Sequence, residues 1–169
     1  MSRPAQRLIR CKWAFIPPIP PAPARPLSDE ILCCVDMITP NQTKAETLTG
    51  VAVHDIESAA KAAAILHEKG IEAVVITMGS QGAFVSESST QTSELVAGFK
   101  AEPVNTTVAG DTFNGDLLVA LAEGQTLIEA AKFANACGAL SVLHPGAQTS
   151  IPIRGEVTEF MEGQYAFGI

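Results

Sequence analysis

The sequence lacks several features that would assign it at once to a common class of protein. No C-x-x-C pair occurs among its four cysteines, so neither a zinc site nor a disulfide framework is expected, and a reducing cytoplasm fits best. No apolar run is long enough to span a membrane. No G-x-S-x-G element is present, so nothing specific supports a serine hydrolase. The cysteines are Cys11, Cys33, Cys34 and Cys137.

Acidic residues are missing from residues 1–27, although the chain of 169 residues has a net charge of -7. This basic start leads into the proline-rich stretch 17–23. No amphipathic helix precedes the prolines, so we favour an irregular basic extension over residues 1–20 rather than an organelle transit peptide. The negative charge of the whole chain argues against a nucleic-acid surface. Residues 21–169 are expected to form one domain with its own core.

Apolar periodicity after residue 27 predicts an α/β fold. Helical spacing alternates with short apolar runs, which implies a three-layer α/β/α architecture with a mainly parallel sheet. The predicted strands cover 35–39, 73–77 and 83–86, with a strand or sheet edge over 94–100. The predicted helices cover 29–34, 43–48, 55–69, 112–123, 126–143 and 156–161.

The segment 104–115 holds the strongest candidate site. A β-type stretch over 104–108 leads through a small-residue turn, Ala109-Gly110, to the carboxylate of Asp111 and the start of a helix. A glycine turn that leads into a helix presents free N–H groups and the positive end of the helix dipole to an anion. A carboxylate there could take a proton from a hydroxyl beside a bound phosphate. The alternative is that Asp111 is an ordinary N-cap.

Weaker candidates lie elsewhere along the chain. The glycine-containing loop 77–82 follows the most buried predicted strand, where α/β proteins bind ligands, but a plain hairpin turn would look the same. Asn41 follows another strand and is equally typical of a turn or cap. Asn135 lies in a helix of small residues that favours tight packing or a flat ligand. His144 has no neighbouring residues with metal-ligand spacing.

The order of these elements resembles the carboxyl-terminal half of the ribokinases, within the phosphofructokinase-B-type (PfkB) carbohydrate kinases. The resemblance covers residues 21–160, about four-fifths of the chain. Its most specific element is A-G-D-T-F-N-G at 109–115. The others are P-A-P-A-R at 21–25, I-T-P-N at 38–41, T-M-G-S-Q-G at 77–82 and G-A-Q-T-S-I-P at 146–152.

This resemblance implies a ribokinase-like fold, truncated on its amino-terminal side, and transfer of phosphate from ATP to the 5-hydroxyl of D-ribose with Mg²⁺. It assigns the catalytic base, which contacts the sugar, to Asp111, and the anion hole to Ala109 and Gly110. The implied ATP contacts are Asn41, Thr77, Met78, Gly79, Ser80, Gln81, Gly82, Gly110 and Asn135. The implied ligands of a monovalent cation, K⁺, are Asn105, Thr107, Ser141, His144, Gly146 and Ser150.

Three departures from the family pattern bear on activity. Asn105 stands where the family has an aspartate, so we expect weaker activation by K⁺. Lys44 stands where the family has the glutamate linked to Mg²⁺, which places normal use of Mg²⁺ in question. The family's amino-terminal half, with its sugar-binding element, has no counterpart. The alternatives are therefore a non-catalytic nucleotide-binding fragment, as a homodimer or with a complementary amino-terminal half, and a kinase of another sugar or nucleoside.

Overall fold

A computed structural model of the chain describes residues 13–14, 35–102, 104, 106, 108–143 and 150–166. The helix expected over 29–34 lies outside these residues. The strands are β1 (Trp13–Ala14), β2 (Met37–Ile38), β3 (Ala73–Thr77), β4 (Gly82–Glu87) and β5 (Thr92–Ala97). The helices are α1 (Gln42–Thr49), α2 (Ile56–Glu68), α3 (Ala109–Ala122), α4 (Leu127–Ser141) and α5 (Arg154–Ala166), with a 3₁₀ turn at Gly79–Gln81.

The strands form one sheet in the order β1-β2-β3-β4-β5. The first three are parallel, and Met37 is paired with both Trp13 and Ala73. The Ser88 N–H, just after β4, donates to the Glu72 carbonyl, just before β3, at 3.0 Å, which is the pairing of antiparallel neighbours. The α/β expectation is confirmed, and the sheet is mixed because short turns connect β3, β4 and β5. β1 lies inside the segment expected to be an irregular extension.

The described residues fall into two compact units. The first comprises the residues up to Met78 together with Phe84–Glu94, and the second comprises Gly79–Ala83 together with the residues from Leu95 onward. No helix in the described part of the chain has the length and apolarity needed to cross a bilayer.

The first unit is built around β3 and α2. The central residues of β3 are fully buried, as the continuous apolar run predicts for a strand covered on both faces. Helix α2 starts with a capping box, in which Asp55 accepts from the Ser58 N–H at 2.8 Å. Its outer face is charged and carries a Glu57–Lys61 ion pair of 2.8 Å. This helix therefore has one apolar face toward the core and one charged face toward water.

The second unit is built from α3, α4 and α5. Helix α4 also starts with a capping box, between Thr126 and Glu129. Its small buried residues let neighbouring helices approach closely. Phe99 and Phe160 pack with their ring centroids 5.4 Å apart, which ties the chain after β5 to α5. Arg154 of α5 forms a two-pronged ion pair with Glu123 and lies 5.2 Å above the Phe133 ring. The buried alanines of α4 are Ala130, Ala131, Ala134 and Ala136.

Gly82 occupies a position that only glycine fills without strain. Its φ is +108°, and a Cβ built on it would lie 2.2 Å from the Val96 carbonyl oxygen and 2.4 Å from the Gly98 nitrogen. The backbones of β4 and β5 approach each other too closely here for a side chain. This contact accounts for glycine at position 82 without a bound ligand.

We predict that Gly82→Ala lowers the free energy of unfolding by about 2 kcal/mol or more, because backbone atoms must move apart in addition to the strain of a positive φ. Gly124→Ala is the matched control, since Gly124 has a φ of +89° but open space around its Cα. Urea unfolding of both variants measures the difference. Equal losses for the two variants would contradict the close-approach argument.

Candidate anion site at the start of helix α3

Helix α3 begins at Ala109, so the small-residue turn expected before the helix is its first helical turn. Asp111 is the third residue of the helix and is exposed. The capping position belongs to Val108, and no side chain makes a cap hydrogen bond there. The interpretation of Asp111 as an N-cap is therefore wrong. The expected β-type entry is also wrong for the described residues 104, 106 and 108, none of which lies in a strand.

The first turn of α3 differs from three other helix starts in the described part of the chain. Side chains of Asn41, Asp55 and Thr126 accept N–H hydrogen bonds at the starts of α1, α2 and α4. In α3 the first full-turn bond runs from the Thr112 N–H to the Val108 carbonyl at 2.9 Å. The N–H groups of Gly110 and Asp111 precede that bond and lie at the free, positive end of the helix.

Space is open around this turn. A Cβ built on Gly110 would meet no atom within 4 Å. A free helix start beside open space is the arrangement that binds phosphate or another anion. The anion hole at Ala109 and Gly110 stays a prediction, and of its two N–H groups that of Ala109 already donates to the Thr106 carbonyl at 3.4 Å.

Two buried oxygens at the same turn have no hydrogen-bond partner within the described part of the chain. They are Thr112 Oγ1 and Asn114 Oδ1. The amide nitrogen of Asn114 donates to the Gly110 carbonyl at 2.7 Å and so holds the Gly110–Asp111 peptide in place. Burying an unpaired polar atom costs free energy, and a bound ligand, ion or water commonly supplies the missing partner. The Thr112 hydroxyl can donate to an anion, whereas the Asn114 amide oxygen only accepts and calls for a donor such as water.

Helix α4 supports this turn from behind. Gly138 lies against α3, and a Cβ on it would be 3.6 Å from the Ala109 carbonyl oxygen. Phe113 is buried at the same contact. Ser141 donates its hydroxyl to the Gly138 carbonyl at 2.8 Å. The small side of α4 thus sets how close α3 lies and where its first turn is held.

Helix α3 carries a second carboxylate, Asp116, in a different environment. Asp116 is half-buried, and burial raises the pKa of its carboxyl, while a hydrogen bond with the Cys137 thiol and the charge of Arg154 oppose the rise. Burial, and then the neighbouring Asp116, raises the pKa of Cys137 far above its usual range, so this thiol stays protonated and unreactive. Of the two carboxylates, Asp111 is the one exposed at the helix start.

The expected ATP contacts lie in both units. In the first unit, the Asn41 side chain caps α1 by accepting a hydrogen bond from the Lys44 N–H at 2.9 Å. The backbone of Asn41 forms a parallel β-bridge with Thr77. Met78, the next residue, is buried. In the second unit, the 3₁₀ turn Gly79–Gln81 is exposed. Asn135 is buried, and its amide nitrogen donates to the Val96 and Ala97 carbonyls at 3.0 and 3.2 Å. Any contact between Asn135 and ATP would therefore come from its amide oxygen.

Two of the six expected cation ligands lie among the described residues. Ser141 and Ser150 are both buried. The remaining four, Asn105, Thr107, His144 and Gly146, lie outside the described residues. No group of three or more histidine, cysteine, aspartate or glutamate side chains that could hold a metal ion occurs in the described ranges.

The opposite end of α3 borders an open cleft of about 470 Å³. A helix of 14 residues is about 21 Å long, so this cleft is remote from Asp111. Its lining contains both acidic and basic side chains and does not belong to the anion site. The lining residues are Glu123, Gly124, Gln125, Glu129, Lys132, Phe133 and Met161.

Comparison with known proteins identifies the family. A model described as "pfkB family carbohydrate kinase" matches residues 7–154. The chain therefore belongs to the pfkB family of carbohydrate kinases. A ribokinase of Haemophilus influenzae is 52% identical over 142 residues, which cover 84% of this chain and 46% of that protein.

Solved structures show the same fold. A ribokinase of Arabidopsis thaliana, solved in complex with ribose and ATP, is 32% identical with a TM-score of 0.76 and is matched over 81% of this chain and 44% of its own. A putative ribokinase II of E. coli, in complex with ATP and Mg²⁺, is 26% identical with a TM-score of 0.70 over 79% of this chain and 41% of its own. The chain spans about half the length of these relatives.

Reasoning from the sequence overlooked three residues at this site. Thr112 and Asn114 supply the unpaired oxygens, and Gly138 supports the turn. The half-buried carboxylate Asp116 was also overlooked, but it lies beside Cys137 and is not part of the open turn. Asn114 could have been found from its position, because it is a polar residue four places after Gly110 and so lies on the same face of the helix. No local pattern indicates that Gly138 meets Ala109, because that contact joins two helices.

We predict that Asp116→Asn stabilises the chain near pH 7. Because folding raises the pKa of Asp116, this carboxyl stabilises the folded chain fully only below its unfolded pKa of about 3.9. That stabilisation is lost as the pH rises through the folded pKa. The gain from the asparagine should therefore shrink as the pH falls toward 4. Urea unfolding of the parent chain and the variant at several pH values measures this gain in the free energy of unfolding. A gain that stays constant with pH would contradict the raised pKa of Asp116.

Proposed function

We propose that the chain supplies the nucleotide-binding and catalytic part of an ATP-dependent sugar kinase. The reaction is D-ribose and ATP to D-ribose 5-phosphate and ADP. The observation that carries the proposal is the uncapped, open first turn of α3, with exposed Asp111 beside the Gly110 N–H at the positive end of the helix. Ribose is favoured as the sugar because the relative at 52% identity is a ribokinase and the Arabidopsis structure holds ribose and ATP.

In the proposed reaction, the Asp111 carboxylate accepts the proton of the sugar hydroxyl. The hydroxyl oxygen then bonds to the γ-phosphorus of ATP, and the bond from that phosphorus to the bridging oxygen breaks to release ADP. The Gly110 N–H offsets the negative charge on the transferring phosphoryl group, while the Ala109 N–H, the other expected member of the anion hole, donates to the Thr106 carbonyl at 3.4 Å. Phosphoryl transfer depends mainly on such positioning and charge stabilisation, which we assign to the helix start.

The proposed ATP contacts include the 3₁₀ turn and Asn135 in the second unit. The turn is exposed and so is accessible to a nucleotide. The amide nitrogen of Asn135 makes two hydrogen bonds within the chain, which leaves its amide oxygen to contact ATP. The E. coli neighbour binds ATP with Mg²⁺, and we propose the same nucleotide form here. We also propose that K⁺ binds through the six expected ligands, and that Asn105, which stands where the family has an aspartate, weakens activation by K⁺.

A second candidate function is nucleotide binding without turnover. The match to about half of each relative favours it, since the remaining half of those proteins has no counterpart in this chain. On this account Asp111 and the anion site still bind phosphate, but no sugar is held in place to be phosphorylated.

We predict that Asp111→Asn lowers kcat by about 10²–10⁴-fold, the usual effect of removing a general base. The assay follows ADP release from the chain mixed with ATP, Mg²⁺, K⁺ and D-ribose. Asp116→Asn is the matched control, because it makes the same change on the same helix away from the open turn, and its turnover should stay near that of the parent.

The outcomes separate the two functions. Turnover lost with Asp111→Asn and kept with Asp116→Asn supports the kinase. No turnover, with ATP still raising the Tm, supports nucleotide binding alone. Turnover that is unaffected by Asp111→Asn contradicts the role of Asp111, and the absence of both turnover and stabilisation by ATP contradicts both functions.

A further inference from the structure

The side chain of Asn114 is bonded to the peptide group that joins Gly110 to Asp111. Its amide nitrogen donates to the Gly110 carbonyl at 2.7 Å. A carbonyl oxygen only accepts, so the amide must face it with its nitrogen. The amide oxygen has no hydrogen-bond partner in the described part of the chain. Among those residues, the bond to Gly110 is therefore the one that fixes the orientation of the Asn114 amide.

The same peptide group carries the Asp111 N–H on its other side. In a trans peptide the C=O and N–H bonds point in opposite directions, so a donor on the Gly110 oxygen lies behind the Asp111 N–H. A hydrogen bond to the oxygen of a peptide group polarises its N–H and makes that N–H a stronger donor. The bond from Asn114 thus orients and strengthens an N–H group at the positive end of α3.

Bonds from a side chain to the carbonyl four residues earlier occur in other helices of the chain. The hydroxyls of Thr47 in α1 and Thr158 in α5 make them at 2.9 and 3.0 Å. Asparagine is a poorer helix former than alanine, because its amide also bonds to backbone groups in non-helical conformations. What distinguishes the bond of Asn114 is its place directly behind the Asp111 N–H.

We propose that Asn114 is a positioning residue for phosphoryl transfer, which acts through the Asp111 N–H on the phosphate held at the start of α3. The proposal rests on the proposed function, because it requires a phosphate at that turn. The peptide held by Asn114 leads directly into the Cα of Asp111. A rotation of this peptide would therefore displace both the donor N–H and the proposed base.

Asn114→Leu tests the proposal, because leucine has a similar size and removes the donor. In the assay with ATP, Mg²⁺, K⁺ and D-ribose, we expect kcat to fall about tenfold, which is less than the usual loss from removing an oxyanion donor outright. We expect KM for ATP to change by less than about twofold, because the bond acts mainly on charge that develops in the transition state.

Asn114→Thr is the conservative variant, because threonine hydroxyls already make this type of bond in the chain. It should restore most of the lost kcat. Asn114→Ala removes the donor while favouring the helix, so it should lose activity without losing stability. Thr158→Val is the matched control, since it removes a bond of the same type from α5 and should leave kcat at the parent value.

The NMR resonance of the Asp111 N–H gives a readout that a loss of stability alone would not move. In the folded chain without ATP, Asn114→Leu should shift this resonance upfield, because its peptide group is less polarised. Asn114→Thr should return it toward the parent position. In a titration with ATP, the change at the Asp111 N–H should be smaller in Asn114→Leu than in the parent chain, whether or not the chain turns over.

The outcomes separate this proposal from the function on which it rests. A parent chain that turns over or binds ATP, together with an Asp111 N–H resonance that Asn114→Leu leaves in place, would overturn the role of Asn114 alone. Equal kcat for the parent and Asn114→Leu, or a loss of kcat that Asn114→Thr does not restore, would also overturn it. A parent chain with neither turnover nor ATP binding would contradict the proposed function itself and this proposal with it.

Discussion

The candidate site depends on the close packing of α3 against α4. Gly138 of α4 lies against the first turn of α3, where a Cβ would be at an ordinary contact distance of 3.6 Å from the Ala109 carbonyl oxygen. Helix α4 is itself fixed at its start by the Thr126–Glu129 capping box. At the far end of α3, the ion pair between Glu123 and Arg154 ties the helix to α5. The helix start is therefore held by packing against α4, and the Gly110 and Asp111 N–H groups lie at its positive end.

This arrangement gives one helix two carboxylates with different properties. Asp111 is exposed at the positive end of the helix, where negative charge is stabilised. Asp116, just over one turn later, is half-buried beside the Cys137 thiol and has a raised pKa. An exposed carboxylate at the helix start and a half-buried one beside the Cys137 thiol thus follow from the direction in which each position faces.

Local patterns predicted much of the fold. The strand 73–77 is found at the predicted bounds, because a continuous apolar run between a helix end and a glycine loop has few alternatives. The sequence predicts the start of α3 at residue 112, three residues after the observed start at Ala109, since Ala109-Gly110 looks like a turn. Glycine is a poor helix former in general, but the first turn tolerates it.

The contacts between distant elements could not be predicted. Gly82 was considered as a phosphate-binding glycine or a turn residue, and it lies against the β5 backbone. Asn135 donates to carbonyls 39 and 38 residues away. Each of these contacts depends on how elements pack, which a local pattern does not encode.

The central claim is that the free N–H groups at the start of α3 bind phosphate. NMR measurement of the backbone amides during a titration with ATP tests it most directly. The account predicts that the Gly110 and Asp111 N–H resonances shift on binding, while the Glu129 N–H resonance at the capped start of α4 stays in place. ATP binding that leaves Gly110 and Asp111 unchanged would contradict the account.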